Sequence, residues 1–130
     1  MILDTSAVVA LLLNELEASR FLELLRDADS VGIAAPTLLE CEMVIATLLG
    51  AEGLLQVDQF MRALGVEILP FGDRELAIAR IAFRAYGKGR HQAALNFGDC
   101  FSYAAAITRD EPLLFKGNDF SQTDVLIAAH

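Results

Sequence analysis

The chain has 130 residues, reads as one domain spanning 1–130, and is long enough to bury a real core. Its net charge of −8 argues on its face against a nucleic-acid partner. The apolar stretch Ala7–Leu13 is far too short for a bilayer span of about 20 residues, and no basic residue precedes it as in a signal peptide. A hydrophobic content of 55% is high for so small a domain, so both a sheet covered on its two faces and an apolar surface hidden by a partner are expected.

In chain order, Ile2–Leu3 predicts a short strand and Ala7–Asn14 a helix. A second helix is expected over Ala18–Arg26, with Phe21, Leu22, Leu24 and Leu25 as its buried stripe. Val31–Ala35 is a brief β-run, and Pro36 suits the first turn of a long helix ending near Leu49. Gly50 and Gly53 punctuate before a helix over Leu54–Leu64 that stops at Gly65. Val66–Leu69 is strand-like, and Asp73 is expected to cap a helix running through Ala85. Tyr86–His91 reads as a flexible basic loop, followed by a small-residue helix over Asp99–Thr108. Pro112–Phe115 is a strand, Lys116–Asn118 a turn and Val125–Ala128 a last short strand. Strands separated by helices imply a mainly parallel sheet in a three-layer helix–sheet–helix α/β sandwich.

Four acids fall at element ends: Asp4, Glu40, Asp99 and Asp119. Asp4 would stand at the tip of the first strand, where ligands collect in open α/β sheets, although a helix N-cap is its competing role. Thr5 and Ser6 beside it carry hydroxyls able to orient a carboxylate. Glu40 and Glu42 point to nearly opposite sides of one helix, and periodicity does not choose between them. Asp99 could simply complement a helix dipole, and Asp119 in Gly117-Asn118-Asp119 could be a turn acid. Asp124 could replace Asp119 or merely begin the last strand. As a set, however, the acids would repel one another unless a divalent cation neutralised them.

The distribution of charge qualifies its sum. No acid occurs between Glu75 and Asp99, while Arg80, Arg84, Lys88 and Arg90, four of the ten basic residues, fall there. A solvated helix face explains this as readily as a binding surface. Other chemistries have little to work with. His91 and His130 are the only histidines, and Cys41 and Cys100 lack metal-ligand spacing and read as buried free thiols of a cytoplasmic protein. Gly87-Lys88-Gly89 lacks the spacing of a phosphate-cradling loop.

Met1-Ile2-Leu3-Asp4-Thr5-Ser6-Ala7, Leu39-Glu40-Cys41-Glu42, Asn96-Phe97-Gly98-Asp99-Cys100-Phe101 and Phe115-Lys116-Gly117-Asn118-Asp119-Phe120, in this order, resemble the signature of PIN-domain ribonucleases. Together with Tyr86-Gly87-Lys88-Gly89-Arg90-His91 they are similar to the VapC-type toxins of bacterial toxin–antitoxin pairs. The resemblance covers essentially the whole chain. It implies that Asp4, Glu40, Asp99 and Asp119 surround Mg²⁺ or Mn²⁺, choosing Glu40 over Glu42, with Ser6 as the small polar residue beside the first acid and Asp124 as a possible outer contributor. It further implies an endoribonuclease acting on structured RNA, transfer or ribosomal. Arg80, Arg84, Lys88 and Arg90 would guide the RNA backbone, with His91 and Lys116 as weaker candidates. A cognate antitoxin and a second copy of the chain would cover the apolar helices Pro36–Leu49 and Leu54–Leu64, building a higher toxin–antitoxin assembly. The rival readings are a phosphatase or phosphotransferase using Asp4 as nucleophile, and a non-catalytic acidic interaction module.

Overall fold

Every strand of this protein is only two or three residues long, so the sheet is a narrow ribbon of backbone pairing. The computed structural model describes residues 1–128. Strands β1 (Ile2–Leu3), β2 (Gly32–Ala34), β3 (Glu67–Leu69) and β4 (Leu113–Leu114) lie in the order β3-β2-β1-β4, and every pairing is parallel. The expected last strand is reduced to a single parallel bridge, Leu113 to Ile127; its end at Ala128 adds one hydrogen bond to Leu113.

Six helices cover the sheet: α1 (Thr5–Leu12), α2 (Ala18–Asp27), α3 (Ala35–Leu49), α4 (Ala51–Leu64), α5 (Asp73–Tyr86) and α6 (Phe97–Arg109). Alternate strand residues face opposite sides and divide the core in two. Ile2, Ala34 and Leu113 join α5 and α6 in one apolar cluster, whereas Leu3, Ile33 and Leu114 join α1, α2, α3 and α4 in the other. The three-layer α/β architecture expected from the sequence is therefore present.

Several boundaries differ from expectation for local reasons. Helix α1 starts at Thr5 because Asp4 caps it, and it ends before Asn14, which is in the left-handed region at φ 51°. Gly53 lies inside α4 instead of interrupting it. A Cβ there would come within 2.7 Å of Ile45 and 3.0 Å of Leu49, so glycine permits the close α3–α4 crossing. Asp73 is the first residue of α5, not its cap. The Tyr86–His91 segment is a closed turn: the Lys88 amide donates to the Leu95 carbonyl, the Leu95 amide donates to the Tyr86 carbonyl, and the Arg90 and His91 amides both donate to the Gly87 carbonyl. No helix among the described residues is long and apolar enough to cross a membrane.

Candidate active site

Because the sheet is parallel, the strands' C-terminal tips share one edge, and Asp4 follows β1 directly there. Asp4 is 4% exposed. Its Oδ2 accepts from the Ser6 amide at 3.0 Å and the Ser6 hydroxyl at 2.6 Å; its Oδ1 accepts from the buried Ser102 hydroxyl at 2.6 Å. The carboxylate is thus an N-cap and a strand-tip acid at once, two roles that sequence set against each other. The Ser6 hydroxyl also accepts from the Lys116 amide at 2.9 Å, tying the tip of β1 to the segment leaving β4.

Glu40 reaches the same edge from α3. The Thr5 hydroxyl donates to its Oε1, and its carboxylate lies directly on Gly98 in the first turn of α6. A Cβ at position 98 would sit 2.8 Å from Glu40 Cδ, so the carboxylate occupies space that any other residue would fill. Glu42 makes no such contact among the described residues. Periodicity could not separate the two acids; the α3–α6 packing does.

Asp99 is the third residue of α6 and closes a capping box with Asn96: the Asn96 amide donates to Asp99 Oδ2 at 3.0 Å, and the Asp99 amide to Asn96 Oδ1 at 2.9 Å. The bland dipole role is therefore real. The Asp99 carboxyl is nevertheless pushed up to about 6, first by burial and then by the charges of Asp4, Asp119 and Glu40, against the lowering effect of the Asn96 amide. Asp4, Asp119 and Glu40 thus each lie within electrostatic reach of Asp99.

Asp119 precedes a 3-10 turn at Phe120–Gln122, but its side chain caps nothing and stands exposed. Asp124 is engaged elsewhere, accepting from the Tyr103 hydroxyl at 2.5 Å. Burial, then this bond to a carboxylate, raises the Tyr103 phenol so that it stays a donor. Between these two acids, only Asp119 contributes to the field at Asp99.

Every donor in this cluster is an oxygen, carboxylate or hydroxyl, which suits a hard divalent cation. The crowding of negative charge that adds to burial in raising Asp99 is what such a cation relieves. Among the described residues no three acids, histidines or cysteines stand close enough together to hold an ion as they are. An ion there would retain waters, as Mg²⁺ ordinarily does. Cys41 lies close enough to feel Asp4 and Glu40, although burial is the main force pushing its thiol up to about 12. Cys100 is likewise raised, by burial and by Asp99. Neither offers a thiolate near neutral pH.

A model of the PIN domain matches residues 1–126. Ribonuclease VapC30 of Mycobacterium tuberculosis is 42% identical over 130 residues, covering 99% of this chain and 98% of that protein. The chain belongs to the PIN-domain family, among its VapC ribonucleases. Mycobacterium tuberculosis VapC20, described as a sarcin-ricin loop cleaving toxin, superposes with a TM-score of 0.76 at 16% identity, over 96% of this chain and 95% of that one. A chain of VapBC2 from Rickettsia felis, solved on a DNA fragment from its promoter, gives 0.75 at 18% identity, over 97% and 94%.

Two residues of this PIN-domain site escape sequence reasoning. Ser102 reads as one of α6's small residues, yet it holds the most buried acid; Gly98 reads as a helix-start glycine, yet it seats Glu40. Their four-residue spacing, which puts both on one helix face, was the available signal. The basic residues separate as well. Lys116 is paired with Glu15 at 3.2 Å and Glu17 at 3.7 Å, and His91 Nδ1 accepts from the Ala93 amide at 3.0 Å, so both are committed to structure. Arg80, Arg84, Lys88 and Arg90 make no ion pair with an acid among the described residues.

Proposed function

We propose that this VapC-family ribonuclease uses Asp4, Glu40, Asp99 and Asp119 to hold Mg²⁺ or Mn²⁺ and cleaves structured RNA, transfer or ribosomal, as the toxin of a toxin–antitoxin pair. The observation that carries this reading is the meeting of acids from separate parts of the chain at one sheet edge: Ser102 of α6 donates to Asp4, Thr5 beside Asp4 donates to Glu40, and Glu40 rests on Gly98 next to Asp99. Bound there, a divalent ion supplies charge neutralisation at the phosphate and an activated water for in-line displacement.

The residues' own work is positional. Ser6 and Ser102 fix both oxygens of Asp4, and Thr5 fixes one oxygen of Glu40. Asp99 is aligned by its capping box, while exposed Asp119 meets the incoming RNA strand. Arg80, Arg84, Lys88 and Arg90 attract its backbone, countering an acidic protein's general repulsion of phosphate. The exposed apolar side chains Leu39, Met43 and Leu48 of α3 and Leu54 and Leu55 of α4 form the surface for an antitoxin and a second copy. The VapBC2 and sarcin-ricin-cleaving relatives support the antitoxin and the structured RNA, respectively. A cytoplasmic location accords with buried free Cys41 and Cys100.

A nucleophilic Asp4, as in a phosphotransferase, is disfavoured because both its oxygens are already held by donors and buried. Purified protein should cut RNA with Mg²⁺ or Mn²⁺ and stop in chelator. Metal-independent cutting that survives Asp4→Asn would defeat the proposal. Mapping the ends of cellular RNAs after brief expression of wild type and Asp4→Asn would identify the target.

A further inference from the structure

Between α5 and α6 runs a groove of about 650 Å³ whose apolar lining has no part in the chemistry proposed above. Its apolar lining includes Phe83, Phe97 and Phe101, and Phe97 is 81% exposed. Phe97 and Phe101 meet edge to face with their ring centres 4.6 Å apart, so Phe101 fixes one side of the exposed Phe97 ring. The rim carries Arg80, Arg84, Lys88 and Arg90, with the Arg90 guanidinium 4.8 Å above the Phe83 ring.

Three observations identify the occupant. The first is charge: of ten basic side chains, Arg20, Arg62, Arg109 and Lys116 are ion-paired among the described residues, and four of the other six surround this groove. In a chain of net charge −8, that concentration selects an anion. The second is shape: the exposed Phe97 ring beside a rim of cations offers a flat apolar surface to a flat apolar partner. The third is proximity. Groove-lining Phe97 and Asp99 lie in the same first turn of α6, on nearly opposite sides of it, with Glu40 resting on Gly98 between them, so a strand in the groove has only that helix end to cross to reach the carboxylates.

We infer that this groove is a nucleobase subsite, in which an unpaired nucleotide adjoining the scissile phosphate stacks on Phe97 while the basic rim holds its phosphates. The inference rests on the ribonuclease reading and narrows it: the strand entering the site is single-stranded there, because paired bases hide their faces in the stack. An acidic peptide would satisfy the rim, but it offers nothing that must run on into the carboxylate cluster.

The test uses a short single-stranded oligoribonucleotide with a fluorescent purine analogue, bound in chelator so that it is not cut. Wild type should quench the analogue, Phe97→Ala should weaken binding about tenfold, and Phe97→Trp should retain it. Replacing the stacked nucleotide by an abasic one should weaken wild-type binding similarly and remove the effect of Phe97→Ala. The exposure of Phe97 leaves folding intact in each variant, which thermal melts verify. Unchanged binding by Phe97→Ala, or losses that simply add in the abasic strand, would overturn the inference. So would a variant that binds RNA normally but changes its sedimentation or loses only its antitoxin, because a protein would then be the occupant. Wild type that cuts RNA with Mn²⁺ while ignoring Phe97 sinks this inference alone; wild type that neither binds nor cuts RNA sinks the ribonuclease proposal with it.

Discussion

The Ser102 hydroxyl donates to Asp4 Oδ1 at 2.6 Å across 98 residues of sequence, and both side chains are buried. An acid at the tip of the first strand is thereby aimed by a helix near the other end of the chain.

Removing that donor leaves a buried carboxylate oxygen without its partner. Ser102→Ala should therefore cost about 1–3 kcal/mol in denaturant unfolding and reduce RNA cleavage as Asp4 loses its orientation. Ser102→Thr, which keeps the hydroxyl, should recover activity better than it recovers stability. Equal stability of Ser102→Ala and wild type would show that the contact is energetically idle.

Gly98→Ala separates stability from function in the opposite way. Alanine favours the helix by roughly 0.5–1 kcal/mol over glycine, and the atom it would strike is the movable end of Glu40. The variant should melt at or above the wild-type temperature yet cleave RNA poorly, because the Glu40 carboxylate is displaced. Shortening that side chain with Glu40→Asp in the same protein should restore part of the rate. Full activity in Gly98→Ala alone would remove Glu40 from the site.

Asp99 sets a pH dependence of definite sign. Its carboxyl is raised from an ordinary 3.8 to about 6, so between those values the folded protein keeps a proton that the unfolded chain has released. This group's contribution to stability is therefore present below that window and is lost as pH rises through it. A divalent cation favours the ionised form and should raise the melting temperature more above pH 6 than below it. Melts with and without Mn²⁺ on either side of that pH check this; an equal shift at both would mean that Asp99 does not face the ion.

Tyr103 and Asp124 test the outlying acid. Tyr103→Phe removes the donor at 2.5 Å and should loosen the segment bridged to Leu113, lowering stability while leaving cleavage of RNA unchanged. A loss of cleavage beyond what unfolding explains would bring Asp124 into the site.

The alternation of short strands and helices was legible because each strand is a brief apolar run bounded by turn residues, as at Ile2–Leu3 and Leu113–Leu114. Asp4 was legible for the same reason, as a charge ending such a run. Glu40 was not separable from Glu42, because what distinguishes them is contact with Gly98 and Thr5, and neither contact is local in sequence. The start of α6 was read two residues late, since Asn96 caps it and Asp99 answers from inside the helix. The closed turn at Tyr86–His91 looked flexible because glycine and lysine mark loops generally, whereas its pairing to Leu95 lies beyond the motif.

Strand β4 pairs with β1 at the edge of the sheet, although β1 opens the sequence and β4 follows α6. Without residues 113–119, β1 lacks one neighbour, Ser6 has no Lys116 amide to accept from, and Asp119 does not exist. A chain cut short before residue 113 would therefore lack one of the four proposed cation-holding acids and leave the tip of β1 without one of its braces.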